Sequence, residues 1–236
     1  MDFFQYGEKV EGYDVLVLNE REARAAAGIL FMLGLLSLMN AVALGHIIVT
    51  RVFISFFTFD FLMRVIQPRY APSLLLGRFF VQNQRPEYVG AVQKRFAWGI
   101  GLLLALPMFY FLVLHFQPNP IKVFVCILCL TLLFFESAFS ICVGCKLYGL
   151  FKEDPVTHCP GGVCEIRTKD PIQTFSLVQK IITVIVFVAF SVGLYSYFTQ
   201  VESKTFLSKK IQFMLMSTEE INAYEEAKLQ REFDAF

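Results

Sequence analysis

Long blocks of apolar residues constrain this chain more than any other feature of its sequence. Of the 236 residues, 56% are hydrophobic and only 17% are charged, whereas a typical soluble domain is about one quarter charged. Most apolar residues fall in runs of about 20, the length that crosses the hydrocarbon core of a bilayer as a helix. Only helices and closed barrels satisfy their backbone hydrogen bonds in lipid. The sequence therefore predicts an all-α, polytopic helical membrane protein.

The same runs predict the domain organisation. Residues 1–25 form a polar amino-terminal segment, 26–198 form a transmembrane helical domain with a polar loop at 149–174, and 199–236 form a charged, partly helical tail.

Four of the apolar runs are long enough to be predicted as spans. They are 26–49, 96–116, 122–148 and 177–198. A fifth run, 52–66, is short for a span, since a helix needs about 20 residues to cross. The expected number of transmembrane helices is therefore four to five. Between these runs, Ala71–Val81 is predicted to form a short helix at the membrane interface.

The connection 64–95 predicts the orientation, because it contains six bases and one acid, Glu87. Arg and Lys accumulate in the cytoplasmic loops of membrane proteins. This places the connection 64–95 and the loop 149–174 in the cytoplasm, and the amino terminus joins them there if 52–66 spans. The prediction is a multi-pass protein of a bacterial inner membrane. The net charge of +1 gives no reason to expect a nucleic-acid partner.

Six cysteines are concentrated in and just after one predicted span, 122–148. They form three pairs: Cys126 and Cys129, Cys142 and Cys145, and Cys159 and Cys164. The first pair lies nearer the external end and is interpreted as core packing. The second pair is expected at the carboxyl end of the helix, where the helix dipole disfavours a thiolate. The third pair is predicted in the cytoplasmic loop.

The four cytoplasmic cysteines leave two functions open. Their spacing, C-x2-C-x13-C-x4-C, resembles that of structural zinc sites, in which His158 could replace one sulfur. In that reading Cys142, Cys145, Cys159 and Cys164 are metal ligands of a non-enzymatic scaffold or assembly factor. In the other, they are two exchangeable pairs that carry out thiol redox or sulfur transfer without a cofactor. A reducing cytosol favours thiols or metal over a static disulfide.

Glu136 is the remaining candidate site residue, because a carboxylate at membrane depth is costly and by default functional. It is interpreted as a proton carrier or as a structural partner. Its partner is expected to be His46, Arg51, Asp60 or Arg64, of which the last two can also pair with each other as i, i+4 neighbours. A third function, a small permease that passes protons or a sulfur species along the Glu136 region, also stays open.

Several segments resemble a known family. They are Asn19–Arg24, Phe59–Arg64, Arg69–Ser73, Lys94–Ala97 and Glu136–Tyr148, which contains the Cys-x-Gly-Cys motif. Over roughly residues 14–151 the chain resembles the bacterial domain-of-unknown-function family 4395, a group of integral membrane proteins.

The resemblance implies family-pattern positions but no established activity. These positions are Arg24, Asp60, Arg64, Glu136, Cys142 and Cys145. Some relatives look fused to or associated with thioredoxin-like or sulfur-transfer modules, which implies a partner of that kind. Cys159 and Cys164 lie outside the resemblance.

Overall fold

The structure is a computed structural model that describes residues 6–44, 47–115, 120–151 and 174–201. The chain divides into two units, Met1–Arg167 and Thr168–Phe236. The described residues of the first unit form six α-helices and one pair of short strands, and those of the second form one α-helix. The predicted all-α class is confirmed.

The described helices and strands follow one another along the chain in this order. The helices are α1 (Glu20–Met39), α2 (Ile48–Ile66), α3 (Pro72–Val81), α4 (Ala91–Phe109), α5 (Pro120–Phe139), α6 (Val143–Phe151) and, in the second unit, α7 (Leu177–Val201). The strands β1 (Val17–Asn19) and β2 (Tyr88–Gly90) pair antiparallel. Single π-helical stretches, Asn40–Leu44 and Tyr110–Leu114, continue α1 and α4.

Among the described residues, three helical segments are long and apolar enough to cross a membrane. They are Glu20–Val42, Ala91–Leu114 and Ile121–Phe139. Helix α2 has 19 residues, which at a rise of about 1.5 Å per residue gives it about the same length as these segments. It packs along α4. Helix α2 is therefore longer than the apolar run predicted at 52–66, because the helix begins at Ile48 and includes Arg51.

The amino-terminal segment and the connection between α2 and α4 lie at the same end of the helix bundle. Val17 of β1 is opposite Gly90 of β2. The hydroxyl of Tyr6 donates a hydrogen bond to the carbonyl of Arg64 at 2.7 Å. This is the arrangement expected if the run 52–66 spans.

Helix α3 confirms the short helix predicted at Ala71–Val81. Its inner side packs on α1 through Gly77, where a Cβ atom would come within 2.5 Å of the carbonyl oxygen of Glu22. Small residues permit such close approaches between membrane helices. The other side of α3 exposes the large apolar residues Leu75, Leu76, Phe79 and Phe80.

The prediction of one continuous span over 122–148 is wrong. Helix α5 ends at Phe139 and α6 begins at Val143. Ser140 between them has a φ of 55°, a left-handed conformation that an α-helix of L-residues cannot continue through. The backbone N–H of Ile141 donates to the carbonyl of Phe135 at 3.1 Å and closes this end of α5. The break gives α6 an amino terminus of its own.

Candidate functional site

Cys142 and Cys145 lie at the amino end of α6. The sulfur of Cys142, the residue before the helix, accepts a hydrogen bond from the backbone N–H of Cys145 at 3.4 Å. The two sulfurs are 2.8 Å apart, and both cysteines are buried, free thiols. The expected position at the carboxyl end of a helix is therefore wrong. The positive end of the α6 dipole is directed at Cys142, which favours a thiolate there.

The two thiols have opposite acid–base properties. A hydrogen bond from the Cys145 thiol and the nearby Lys94 ammonium lower the pKa of Cys142, although burial and Glu136 act the other way. The same hydrogen bond, together with burial, raises the pKa of Cys145. Such a difference suits an attacking thiolate and a second thiol that stays protonated until it is needed.

Gly144, the glycine of the Cys-x-Gly-Cys motif, brings α6 close to α4. A Cβ atom at this position would come within 2.6 Å of the Cα and Cβ atoms of Ala97. Ala97 lies less than one helical turn after Lys94. The motif thus needs glycine because any side chain would push the cysteine pair away from the start of α4.

Lys94 joins two carboxylates from different helices. Its Nζ atom lies 2.7 Å from Oε2 of Glu20 and 2.7 Å from Oε1 of Glu136. The side chains of Lys94 and Glu20 are fully buried, and that of Glu136 is 12% exposed. We call Glu20, Lys94 and Glu136 the buried charge cluster. It connects α1, α4 and α5 beside the cysteine pair.

The composition of the buried charge cluster suits it to hold a proton. Two ionised carboxylates and one ammonium would leave a net negative charge inside the bundle, and desolvation makes an uncompensated buried charge costly. Oε1 of Glu20 is also buried and has no hydrogen-bond partner among the described residues. One proton bound by a carboxylate would neutralise the cluster.

Among the described residues, Glu136 does not pair with any of the partners that the sequence predicted, so that prediction is wrong for them. Its ion pair is with Lys94, whereas Arg64 binds Asp60, and His46 lies outside the described residues. Sequence reasoning missed Lys94 and Glu20 because both stand at the polar starts of helices. A usable signal was present, since each lies on the buried stripe of its helix.

A second buried network contains Asp60 and Arg64, whose predicted i, i+4 pair is confirmed. The Nε atom of Arg64 donates to Oδ2 of Asp60 at 2.8 Å, and both side chains are fully buried. Oδ1 of Asp60 accepts a hydrogen bond from the backbone N–H of Ser73 at 2.8 Å. A carboxylate at the amino end of a helix is favourable, so Asp60 fixes the start of α3 to α2.

The other predicted site residues do not join this geometry. Cys159, Cys164 and His158 lie outside the described residues, so the four-cysteine arrangement stays a prediction. Within residues 6–44, 47–115, 120–151 and 174–201, no group of three or more His, Cys, Asp or Glu side chains is placed to hold a metal ion. Cys126 and Cys129 of α5 border a small apolar cavity of about 40 Å³ that residues of α1, α2 and α4 also line, and their interpretation as packing residues stays a prediction.

The acidity of Cys142 can be tested by its reactivity. Because its pKa is lowered, the thiolate should persist as pH falls below the ordinary thiol value of about 8.5. Removing the hydrogen-bond donor with Cys145→Ala should raise the pKa of Cys142 and move the midpoint of alkylation to higher pH. Iodoacetamide labelling followed by peptide mass spectrometry measures this midpoint. Cys129→Ala is the control, and equal midpoints in both variants would contradict the assignment.

Comparison with known proteins gives one match. The sequence model of a family described as "Domain of unknown function (DUF4395)" matches residues 18–153. No curated protein and no solved structure matches the chain. The matched range begins in β1 and extends past the end of α6, so it contains the cysteine pair and the whole buried charge cluster, and it excludes Cys159, Cys164 and α7.

Proposed function

We propose that this chain, which belongs to the DUF4395 family of domains of unknown function, carries out thiol–disulfide exchange through Cys142 and Cys145. One observation carries the proposal: two thiols 2.8 Å apart at a helix amino terminus lie beside a buried ammonium and two carboxylates. The cysteines supply the reacting atoms, and the cluster supplies the charge and proton binding that the reaction needs.

The first step is attack on a disulfide of a partner molecule. The Cys142 thiolate forms a bond to one partner sulfur, and the other partner sulfur leaves as a thiolate. The product is a mixed disulfide with Cys142. The lowered pKa of Cys142 provides the thiolate that this step requires.

The second step resolves the mixed disulfide. Cys145 gives its proton to a carboxylate of the buried charge cluster, attacks the sulfur of Cys142, and releases the second partner sulfur as a thiolate. The cysteine pair has then lost two electrons and the partner disulfide has gained them. Run in reverse, the same two steps oxidise a partner dithiol. If the partner carries a persulfide, the Cys142 thiolate instead bonds to its outer sulfur, the S–S bond of the persulfide breaks, and the inner sulfur leaves as the partner's thiolate.

We place this reaction at the cytoplasmic face of a bacterial inner membrane. Gly144 packs on Ala97 near the start of α4, so the cysteine pair lies at the same end of the bundle as the connection between α2 and α4, where the bases are concentrated. Positive loops stay in the cytoplasm. A thioredoxin-like or sulfur-transfer protein is the partner class that fits this exchange.

The test is trapping of the mixed disulfide with oxidised glutathione as the probe. In the full chain purified in detergent, Cys145→Ser should accumulate glutathione on residue 142, since no second thiol resolves it. Cys142→Ser should show no adduct on residue 145, and the wild type should instead lose two thiols without retaining glutathione. Intact mass and peptide mapping distinguish these products.

The control for this test is Cys126→Ser, which alters a cysteine of the packing pair and should behave as wild type. Equal adduct yields at residues 142 and 145, or no adduct on a folded Cys145→Ser variant, would refute the assignment of Cys142 as the attacking thiol.

A further inference from the structure

The two carboxylates of the buried charge cluster differ in their access to solvent. The side chain of Glu20 is fully buried, whereas that of Glu136 is 12% exposed. A proton that is released during a reaction inside the bundle can leave only through a group that water reaches. Glu136 is therefore the member of the cluster that can exchange a proton with solvent.

Lys94 gives the two carboxylates different roles. Its Nζ atom lies 2.7 Å from a carboxylate oxygen of each. The side chains of Lys94 and Glu20 are both fully buried, and an unpaired charge is most costly where desolvation is complete. The ion pair of Lys94 and Glu20 therefore stays charged, and its two charges cancel. Glu136 is the carboxylate that can gain or lose a proton without leaving Lys94 unpaired.

Glu136 is also the carboxylate of the cluster that acts on the cysteine pair. The hydrogen bond between the two thiols shifts the pKa of both most, and the charged groups outside the pair that shift them further are Lys94 and Glu136. The backbone N–H of Ile141 donates to the carbonyl of Phe135, so the chain after Glu136 turns back over the end of α5. This turn keeps Glu136 near the start of α6.

In the part of the chain that the structure describes, the titratable and charged groups that face Glu136 come from three neighbouring elements. They are Glu20 of α1, Lys94 of α4, and the cysteine pair at the start of α6. Arg24, one turn after Glu20, lies 3.9 Å from Glu87. Because Lys94 carries the ammonium and Glu20 is held by it, Glu136 is the group of this set that suits a thiol proton.

We propose that Glu136 accepts the proton of Cys145 when the mixed disulfide is resolved, and that Glu20 is a positioning residue that holds Lys94 beside it. The role of Glu136 rests on the proposed thiol–disulfide exchange, whose second step needs such an acceptor. The S–H bond of Cys145 breaks, its proton passes to the Glu136 carboxylate, and its electron pair forms the bond to the sulfur of Cys142. The bond from Cys142 to the partner sulfur breaks, and that sulfur leaves as a thiolate. Glu136 then returns the proton to solvent.

The test measures the resolving step in the full chain in detergent. Oxidised glutathione is added, samples are quenched with acid at intervals, and intact mass gives the amount of adduct on residue 142. Glu136→Gln should slow the loss of this adduct about 10²-fold or more, the usual contribution of a positioned proton acceptor. The adduct should therefore accumulate although Cys145 is present. Its formation should not slow, because the charge of Glu136 opposes the thiolate of Cys142.

The pH dependence of the resolving rate separates proton transfer from a structural role. The hydrogen bond to Cys142 and burial raise the pKa of Cys145. Without an acceptor, the rate depends on a Cys145 thiolate fraction that grows about tenfold per pH unit below that pKa. Glu136→Gln should show this slope, and the wild type should show a weaker one. A wild-type rate with the full slope would overturn the proposal, and this measurement needs no variant.

Three matched variants serve as controls. Glu136→Asp keeps a carboxylate and should recover part of the rate and the slope of the wild type. Glu20→Gln changes the positioning carboxylate, so its rate should fall less and its slope should stay that of the wild type. Glu22→Gln changes a carboxylate of α1 that pairs with Arg78 outside the cluster, and it should behave as wild type. Glu136→Gln and Glu20→Gln each leave Lys94 with one carboxylate, so both are expected to fold.

Failure of the exchange and failure of the proton acceptor give different results. If Cys145→Ser forms no glutathione adduct, the proposed exchange is wrong, and the role of Glu136 is wrong with it. If Cys145→Ser forms the adduct but Glu136→Gln resolves its own adduct as fast as the wild type, Glu136 is not the proton acceptor. The same conclusion follows if Glu20→Gln shows the same loss of rate and the same slope as Glu136→Gln.

Discussion

Replacing Lys94 by methionine is expected to destabilise the first unit by about 3–5 kcal/mol, the usual cost of removing one partner from a buried ion pair. The change leaves Glu20 and Glu136 without the ammonium that lies 2.7 Å from each of them. Unfolding of the purified chain in detergent, followed by circular dichroism, measures the loss. Lys146→Met is the control, because it makes the same substitution at an exposed lysine of α6.

A rescue experiment separates the charge effect from a simple packing defect. The triple variant Lys94→Met, Glu20→Gln, Glu136→Gln removes every charge of the cluster, and replacing a whole buried ion pair by neutral groups is often close to neutral. It should therefore recover much of the stability that Lys94→Met loses. If Lys94→Met unfolds at the same point as Lys146→Met, the three side chains do not form a buried charge cluster.

The periodicity of buried residues could have predicted part of the buried charge cluster from the sequence. In α1 the buried positions Glu20, Ala23, Ala27, Leu30 and Gly34 follow each other at intervals of three and four residues. This is the period of one helix face, so the buried stripe begins at Glu20. Runs defined by hydrophobicity alone start later and treat that glutamate as part of a polar end.

Helix α4 repeats the pattern with the opposite charge. Ala91, Lys94, Trp98, Ala105 and Met108 are buried on it at the spacing of one helix face, and Gln93 is buried as well. The period indicates that both charges face the core, but it does not indicate that they meet. That depends on the packing of α1, α4 and α5, whose contributing residues are far apart in the chain.

The end of α5 before α6 could not be predicted from the sequence, for a different reason. Neither proline nor glycine, the usual signals for the end of a helix, stands at residues 140–142. Ser140 adopts the left-handed conformation instead, which is uncommon for a residue other than glycine. Because of this break, Cys142 lies at the amino end of α6 and not at the carboxyl end of α5. The helix dipole therefore favours the Cys142 thiolate, whereas a continuous helix would have disfavoured it.

The second large effect is expected at Asp60. Asp60→Ala should destabilise the first unit by about 3–5 kcal/mol, since it leaves the guanidinium of Arg64 buried without its carboxylate. It also removes the acceptor for the backbone N–H of Ser73 at the start of α3. Asp14→Ala, which changes an exposed aspartate before β1, is the control in the same unfolding measurement.

Asp60→Asn tests which of these two roles dominates. The amide oxygen can still accept the hydrogen bond from Ser73, but the side chain no longer balances the charge of Arg64. If charge compensation dominates, Asp60→Asn should lose nearly as much stability as Asp60→Ala, and the added change Arg64→Met should restore part of it. If Asp60→Asn is instead about as stable as Asp14→Ala, the carboxylate acts mainly as a hydrogen-bond acceptor for α3. The charge of Arg64 would then be compensated by other groups, such as the rings of Phe61 and Trp98.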